Sequence, residues 1–311
     1  MSAVGLEFTE FGGAGVRLFS GNGPTRFHVL TFEQPDPRDP TFLRAYPFLP
    51  SVAVAEDGAP GHALGAPALL AGSGSLRLPT EEEYMELLFR LVAGARVSLG
   101  AIESTALCVA GKADLPGVMG IPGIKSVSPE EALGHYAGLV APGIEVSILY
   151  ISSERVFAVH RRGDGVVESL LSDEETWLQP GLVQRALEDL HQGEAVPHLE
   201  AAALFGMARY SDGTDFSVRL GEQEVGGTAL SRELRRQTRR ASQVKHAVSV
   251  LPGHRILVCG PLVGGGPPAF APTDLGALLG DREVVGNSRW SPRALSVGCA
   301  WASAKEGSQS P

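Results

Sequence analysis

Ala3-Val4-Gly5-Leu6-Glu7-Phe8, a glycine-rich turn at Gly12, Gly13 and Gly15, and Val16-Arg17-Leu18-Phe19 open the chain. Both apolar runs are short and bounded by turn residues, which predicts two strands rather than a helix. Asn22-Gly23 is a hairpin signal, so Arg26 to Phe32 follows as a third strand. The Pro/Asp-rich stretch from Pro35 to Pro40 reads as a loop. Leu49-Pro50-Ser51-Val52-Ala53-Val54 then leads to a turn at Glu56-Asp57-Gly58. This opening is a β-meander. A dinucleotide-binding βαβ unit needs its glycine loop between a strand and a helix, and does not fit.

Helical signals begin at Thr80. Glu81, Glu82 and Glu83 lie at the positive end of a helix dipole, and Thr80 with Glu83 forms a capping box. Tyr84, Leu87, Leu88, Leu91 and Val92 make its core stripe. Thr105 to Ala110 is a short strand, and Ser128-Pro129-Glu130-Glu131 starts a helix to about Ala137. Ile144 to Ile151 and Arg155 to His160 are strands joined by Ser152-Ser153-Glu154. Leu182 to His191 is an amphipathic helix, Phe216 to Leu220 a strand, and Thr228 to Lys245 a long basic helix. Arg255-Ile256-Leu257-Val258-Cys259 is a buried strand running into Gly260 and Gly264-Gly265-Gly266. Pro292 to Ala304 is a small-residue helix, and the tail from Glu306 is expected to be disordered. A meander followed by a helix thus occurs twice, which predicts two similar α/β lobes.

Composition narrows the function classes. The chain has 311 residues, 43% hydrophobic and 20% charged, with a formal net charge of -9. The acidic balance excludes a general nucleic-acid coat, which needs a basic surface. No apolar run approaches the roughly 20 residues of a bilayer span. The N-terminal residues show no basic segment followed by an apolar one, so a cytoplasmic location is expected. Cys108, Cys259 and Cys299 are far apart among small or apolar neighbours and read as packing thiols. The 8 histidines show no metal-ligand spacing, so no metal site is expected.

Four segments, in order, resemble the actin-like ATPase superfamily, particularly the nucleotide-binding domain of Hsp70 chaperones and the related MreB filaments. Val4-Gly5-Leu6-Glu7 stands where that family has its first phosphate loop. Leu49 to Val54, with Glu56-Asp57-Gly58 and Leu64-Gly65-Ala66-Pro67-Ala68, resembles its "PSVV…DG…GxxA" stretch. Ser128 to Gly138 resembles the first interlobe helix. Ile256 to Gly260, followed by Ser291 to Ala300, resembles the adenosine strand and the last interlobe helix. The resemblance implies an α/β, two-lobed actin-like (ribonuclease H-like) ATPase fold, each lobe a mixed sheet flanked by helices. It places lobe I at residues 1–140, with the helix 292–304 returning to it, lobe II at 141–291, and a disordered tail at 305–311. The few residues after 305 are too short for a peptide-binding domain, so a complete Hsp70 chaperone is not expected.

The same resemblance implies ATP or ADP with Mg²⁺ as cofactor, held by two Gly/Thr-rich hairpins that each begin with an Asp. Here the first hairpin reads Glu7-Phe8-Thr9-Glu10-Phe11-Gly12-Gly13. Glu7 keeps a carboxylate, one methylene longer, while Glu10 and Phe11 bring a charge and a ring toward the expected phosphates. The second reads Tyr150-Ile151-Ser152-Ser153-Glu154-Arg155, with neither Asp nor Gly. Phosphoryl transfer depends on positioning and electrostatics, so these changes point to a degenerate ATPase and a scaffold or regulatory interaction subunit. The alternative is a slow ATPase using Glu7, with filament formation of the MreB type a further expectation. The remaining candidate binding positions are Gly12 and Gly13, the helix-start pair Gly226 and Gly227, and Gly260, Gly264 and Gly265 in an adenosine-type turn. A basic helix also contributes to the family's adenine pocket, which adds Arg236 and Arg240. Arg232, Arg235, Arg236, Arg239 and Arg240 fall on one helical face, which suits an acidic protein partner, a phosphate-bearing ligand or an anionic membrane surface. The plainer alternative is a solvated face paired with carboxylates elsewhere in the fold.

Overall fold

The computed structural model describes residues 2–19, 25–36, 39–54, 64–65, 68, 76–97, 104–110, 123–191, 198–210, 216–220, 222–264, 268–286 and 289–307. In chain order the first strands are β1 (Ser2–Thr9), β2 (Gly12–Phe19), β3 (Arg26–Val29), β4 (Phe32–Asp36), β5 (Asp39–Tyr46), β6 (Leu49–Pro50), β7 (Ala53–Val54) and β8 (Leu76–Arg77). Then come α1 (Glu81–Val97), β9 (Ser104–Val109), β10 (Lys125–Ser126), α2 (Pro129–Val140), β11 (Val146–Ile151), β12 (Val156–Arg161) and β13 (Val167–Ser169). The remainder is α3 (Leu182–Leu190), α4 (His198–Tyr210), β14 (Ser217–Leu220), β15 (Gln223–Gly226), α5 (Gly227–Arg240) and α6 (Ser242–Val250). Finally come β16 (Arg255–Cys259), α7 (Gly276–Leu279), β17 (Glu283–Val284) and α8 (Ala294–Gly307).

The chain forms two compact units. One comprises Met1–Val127, Leu199–Thr214 and Cys299–Pro311, the other Ser128–His198 and Asp215–Gly298. In the first unit, β1, β2 and β3 form an antiparallel meander, while β9 and β10 add parallel strands on the other side of β1, giving the order β10-β9-β1-β2-β3. In the second, β11, β12 and β13 form the meander and β16 and β17 the parallel strands, in the order β13-β12-β11-β16-β17. The two sheets share one topology, with the first strand of each meander at the centre. Buried on both faces, such a strand carries a nearly unbroken apolar run, as Val146–Ile151 does.

Local chemistry explains the boundaries. The capping box at α1 is made: Thr80 N–H donates to Glu83 Oε2 at 2.8 Å, and Glu83 N–H donates to Thr80 Oγ1 at 3.4 Å. Leu87, Leu88, Leu91 and Val92 then pack with Leu6, Phe8 and Leu107 in one core cluster. At α2, Glu131 N–H donates to Ser128 Oγ at 3.1 Å and Pro129 occupies the first turn, as the sequence predicts. A Cβ on Gly298 would lie 1.9 Å from the Ala132 carbonyl oxygen, so that position of α8 has room only for glycine.

Several expectations need correction. The expected third strand ends at Val29, and β4 starts at Phe32. Within the expected Pro35–Pro40 loop, residues 35–36 end β4 and residues 39–40 begin β5, which pair from Phe32↔Tyr46 with an irregularity at Pro35/Asp36, while residues 37–38 lie outside the described residues. In a two-stranded ribbon each strand has an edge where a missing N–H costs no ladder bond, so proline is tolerated. The single helix expected from Thr228 to Lys245 starts one residue earlier and breaks at Ala241, whose ψ of 122° leaves the helical region while its side chain is buried. The sequence reading did not anticipate α4. Helix α8 runs through Gly307, so residues 305–307 of the expected tail are helical, with Lys305 Nζ 5.8 Å from the Trp301 ring. The Asn22-Gly23 and Glu56-Asp57-Gly58 turns, Ala66-Pro67, and residues 308–311 lie outside the described residues. Among those described, no helix is long and apolar enough to cross a membrane.

Candidate functional site

In the first unit the β1–β2 turn is tight. Thr9 pairs with Gly12, leaving only Glu10 and Phe11 between the strands. The expected turn glycines therefore sit inside β2, where their lack of a side chain serves packing. A Cβ on Gly12 would fall 2.1 Å from the Leu49 carbonyl oxygen, at a φ of +140°, because β6 pairs there with β2. A Cβ on Gly13 would meet Leu91 at 2.9 Å. Phe11 is buried in an aromatic group, 5.2 Å from Phe205, while Phe48 stacks on Tyr210 at 4.8 Å. Helix α4, absent from the sequence reading, thus anchors the turn through Phe205. Glu7 is buried within β1, opposite Ala14 on one side and Cys108 on the other.

In the second unit the β11–β12 turn is bound up with the chain that follows it. Ser152 N–H donates to the Arg155 carbonyl at 2.9 Å, and Arg155 N–H donates to Ser152 Oγ at 3.1 Å. Ser153 serves the start of α3: its carbonyl accepts from Leu182 N–H at 2.7 Å and its hydroxyl from Val183 N–H at 3.1 Å. The Glu154 carbonyl accepts from Leu178 N–H at 2.8 Å. Ser152, Ser153 and Arg155 are all buried. The Arg155 guanidinium lies 3.7 Å from the Trp177 ring centre, and its Nη1 donates to Asp173 at 3.0 Å and Thr176 at 2.6 Å. Sequence reasoning placed Arg155 at the end of the second hairpin. It missed Asp173, Thr176 and Trp177, and no local spacing could have signalled them.

Gly260 joins this turn. Its φ is +114°, and a Cβ would fall 2.3 Å from the Ile151 carbonyl oxygen. Leu262 N–H donates to that same oxygen at 3.5 Å, while Gly264 and Phe270 close the loop behind it through Gly264 N–H to the Phe270 carbonyl at 3.0 Å. Of the candidates, then, Gly260 and Gly264 come together with the second turn. Gly12, Gly13 and Glu7 belong to the first unit, and Gly265 lies outside the described residues.

Gly226 caps α5 without a side-chain bond, and Gly227 N–H donates to the Phe216 carbonyl at 2.9 Å. On the arginine face, Arg235 pairs with Asp274 at 3.3 Å, and Arg236 pairs with Asp189 at 2.6 Å and Glu233 at 2.7 Å. Arg239 donates to the Asp274 carbonyl. The hydrogen bond that Arg236 donates to Glu233, with the charges of Glu233 and Asp189, holds the Arg236 guanidinium still more firmly protonated than usual. Arg232 and Arg240 are exposed and make no side-chain hydrogen bond or ion pair among the described residues. Three of the five arginines are therefore committed within their own unit.

No protein-family model matches this sequence, and no curated protein matches it. In structure the chain is similar to the crystal structure of an archaeal actin homolog, at 12% sequence identity and a TM-score of 0.48, with 98% of this chain and 100% of that chain covered. The fold class follows from strand order and polarity: α/β, with a mixed sheet flanked by helices in each unit and the same strand order in both.

Proposed function

We propose that this chain is an actin-like protein of the Hsp70/MreB type whose phosphate-binding hairpins have become packing elements, and that it acts as a scaffold or regulatory interaction subunit in the cytoplasm. In this reading lobe I is residues 1–140 with the helix 292–304, and lobe II is 141–291. The observation that carries the reading is the second hairpin. Ser153 spends its carbonyl and hydroxyl on the first turn of α3, and Arg155 is held by Trp177, Asp173 and Thr176. A phosphate cradle needs donors turned outward and glycine backbone that a phosphate can approach closely. Buried Ser152 and Ser153 supply neither, and the first hairpin spends its glycines on Leu49 and Leu91. ATP with Mg²⁺ therefore does not fit these residues.

Isothermal titration of the purified chain with ATP and ADP, with and without Mg²⁺, tests this. The expected result is no heat of binding at millimolar nucleotide. Micromolar, Mg²⁺-dependent binding would overturn the proposal in favour of a slow ATPase, with Glu7→Ala as the next variant to assay.

A further inference from the structure

Ser147 on β11 and His160 on β12 are register partners, and both are buried. Glu145 lies two residues before Ser147, so its side chain falls on the same face of the sheet. The His160 ring stands between the two: Nε2 lies 3.2 Å from Glu145 Oε1, and Nδ1 lies 3.5 Å from Ser147 Oγ. Ser147 Oγ in turn donates to the Pro252 carbonyl at 2.5 Å. Pro252 belongs to the turn between α6 and β16, so one run of polar contacts ties that turn to two strands.

The direction of each bond follows from what its atoms can do. A carbonyl oxygen and an ionised carboxylate only accept, whereas an imidazole nitrogen donates when protonated and accepts when bare. Glu145 therefore keeps the ring's first proton on Nε2. The Ser147 hydroxyl has one proton, which the Pro252 carbonyl takes, so Ser147 presents a lone pair to Nδ1. Every contact is satisfied only when Nδ1 also carries a proton. In the neutral ring, Nδ1 is a second acceptor for the one hydroxyl proton and competes with the Pro252 carbonyl.

The other charged groups near the ring are committed elsewhere, exposed or on the far face. Glu168, the register partner of His160 on β13, pairs with Arg162 at 3.2 Å. On α6, Lys245 and His246 are exposed, and His246 lies 3.1 Å from Glu175. Arg282 donates to the Val248 and Leu251 carbonyls at the end of α6. Ile256 pairs with Ser147, which sets Arg255 and its partner Glu283 on the opposite face. His254, in the turn itself, is exposed.

We propose that His160 is a proton-operated latch on the turn that begins at Pro252. With Nδ1 protonated, the run Glu145–His160–Ser147–Pro252 is closed. With Nδ1 bare, the Ser147 hydroxyl turns to the ring and the Pro252 carbonyl is released. A cavity of about 280 Å³ bordered by His160, Ser147 and Pro252 gives protons a route to the ring. The inference is independent of the phosphate hairpins and of any nucleotide.

Nuclear magnetic resonance of the full chain across about pH 5–8 is the test, read at the His160 ring nitrogens and the Pro252 carbonyl carbon. Nδ1 is expected to lose its proton while Nε2 keeps its own, and the Pro252 signal to shift in the same step. Amide exchange at Gly253, His254 and Arg255, corrected for its intrinsic pH dependence, should rise about three- to tenfold across that step, as the loss of one hydrogen bond implies. In Ser147→Ala, His160 should still titrate while the Pro252 carbonyl no longer follows it. Glu145→Gln, at an exposed position, should keep the fold and divide the neutral ring's proton between its two nitrogens. A ring that holds one protonation state throughout overturns the proposal. So does proton loss from Nε2 instead, a Pro252 signal that ignores the step, or one that follows it equally in Ser147→Ala.

Discussion

Glycine carries two different meanings in this chain, and space around each residue separates them. At Gly12 and Gly260 a β-carbon has nowhere to go: φ is positive, and backbone oxygen stands 2.1 Å and 2.3 Å away. Gly12→Ala and Gly260→Ala should each cost about 3 kcal/mol or more, read as a shift in the urea midpoint. Gly226 has open space and an ordinary φ of -83°. Gly226→Ser should be tolerated and add a few tenths of a kcal/mol by capping α5. A destabilising Gly226→Ser would show that the α5 start is constrained in some other way. Arg155 makes a similar point about charge. Arg155→Lys keeps the positive charge but loses the planar stack on Trp177, and should cost about 2 kcal/mol with a red shift in tryptophan emission. These glycines are plain in the sequence, but their reasons are not. A glycine that admits a neighbouring strand and one that admits a phosphate look alike until the neighbour is known.

At the scale of elements, features fixed by local chemistry were legible, and those fixed by distant partners were not. Thr80 with Glu83, Ser128 with Pro129, and the central apolar strands could be read directly because capping and alternation act within a few residues. The β4–β5 hairpin, the break at Ala241 and helix α4 depend on pairing or burial far along the chain. The Ser147–His160 contact lies between these cases. Both residues stand equally far from the Ser152–Arg155 turn, so hairpin register alone pairs them, and counting back from that turn would have found them. The α1 cap also has a pH signature. Two hydrogen bonds from Arg77, at 2.6 and 2.8 Å, lead the causes that hold the Glu83 carboxyl down at about 2, from an ordinary 4.5. The folded state thus favours the ionised form. Its contribution is complete above pH 4.5 and is lost as pH falls toward 2. Glu83→Gln should cost about 1 kcal/mol at neutral pH and flatten the acid limb of the stability curve over that interval. An unchanged acid limb would mean that Arg77 does not hold Glu83 in solution.

Across the whole molecule, the duplicated sheet was foreshadowed by a meander-then-helix pattern that occurs twice, and the pairing of the arginine face with carboxylates by its plainer reading, though not which arginines pair. Five arginines at helical spacing in a chain of net charge -9 suggest an acidic partner from sequence alone. The structure divides them. Arg235, Arg236 and Arg239 answer to Asp274 and Asp189, which no local pattern announces, and Arg236 also to Glu233 three residues before it, while Arg232 and Arg240 remain exposed and uncommitted among the described residues. An acidic partner should therefore be read by the second pair, and the first three should report on stability. Arg232→Glu with Arg240→Glu is expected to leave the urea midpoint within about 0.5 kcal/mol of wild type, as exposed substitutions do. Arg235→Glu with Arg236→Glu should cost about 1–2 kcal/mol, because it sets like charges against Asp274, Asp189 and Glu233. Retention on immobilised polyglutamate at low salt completes the test, since screening shortens the reach of surface charge to about 8 Å at physiological ionic strength. Reversal at 232 and 240 should abolish salt-sensitive retention while the fold stays intact. Retention that is unchanged by this reversal would place any acidic partner on a different surface and leave the arginine helix a purely structural element.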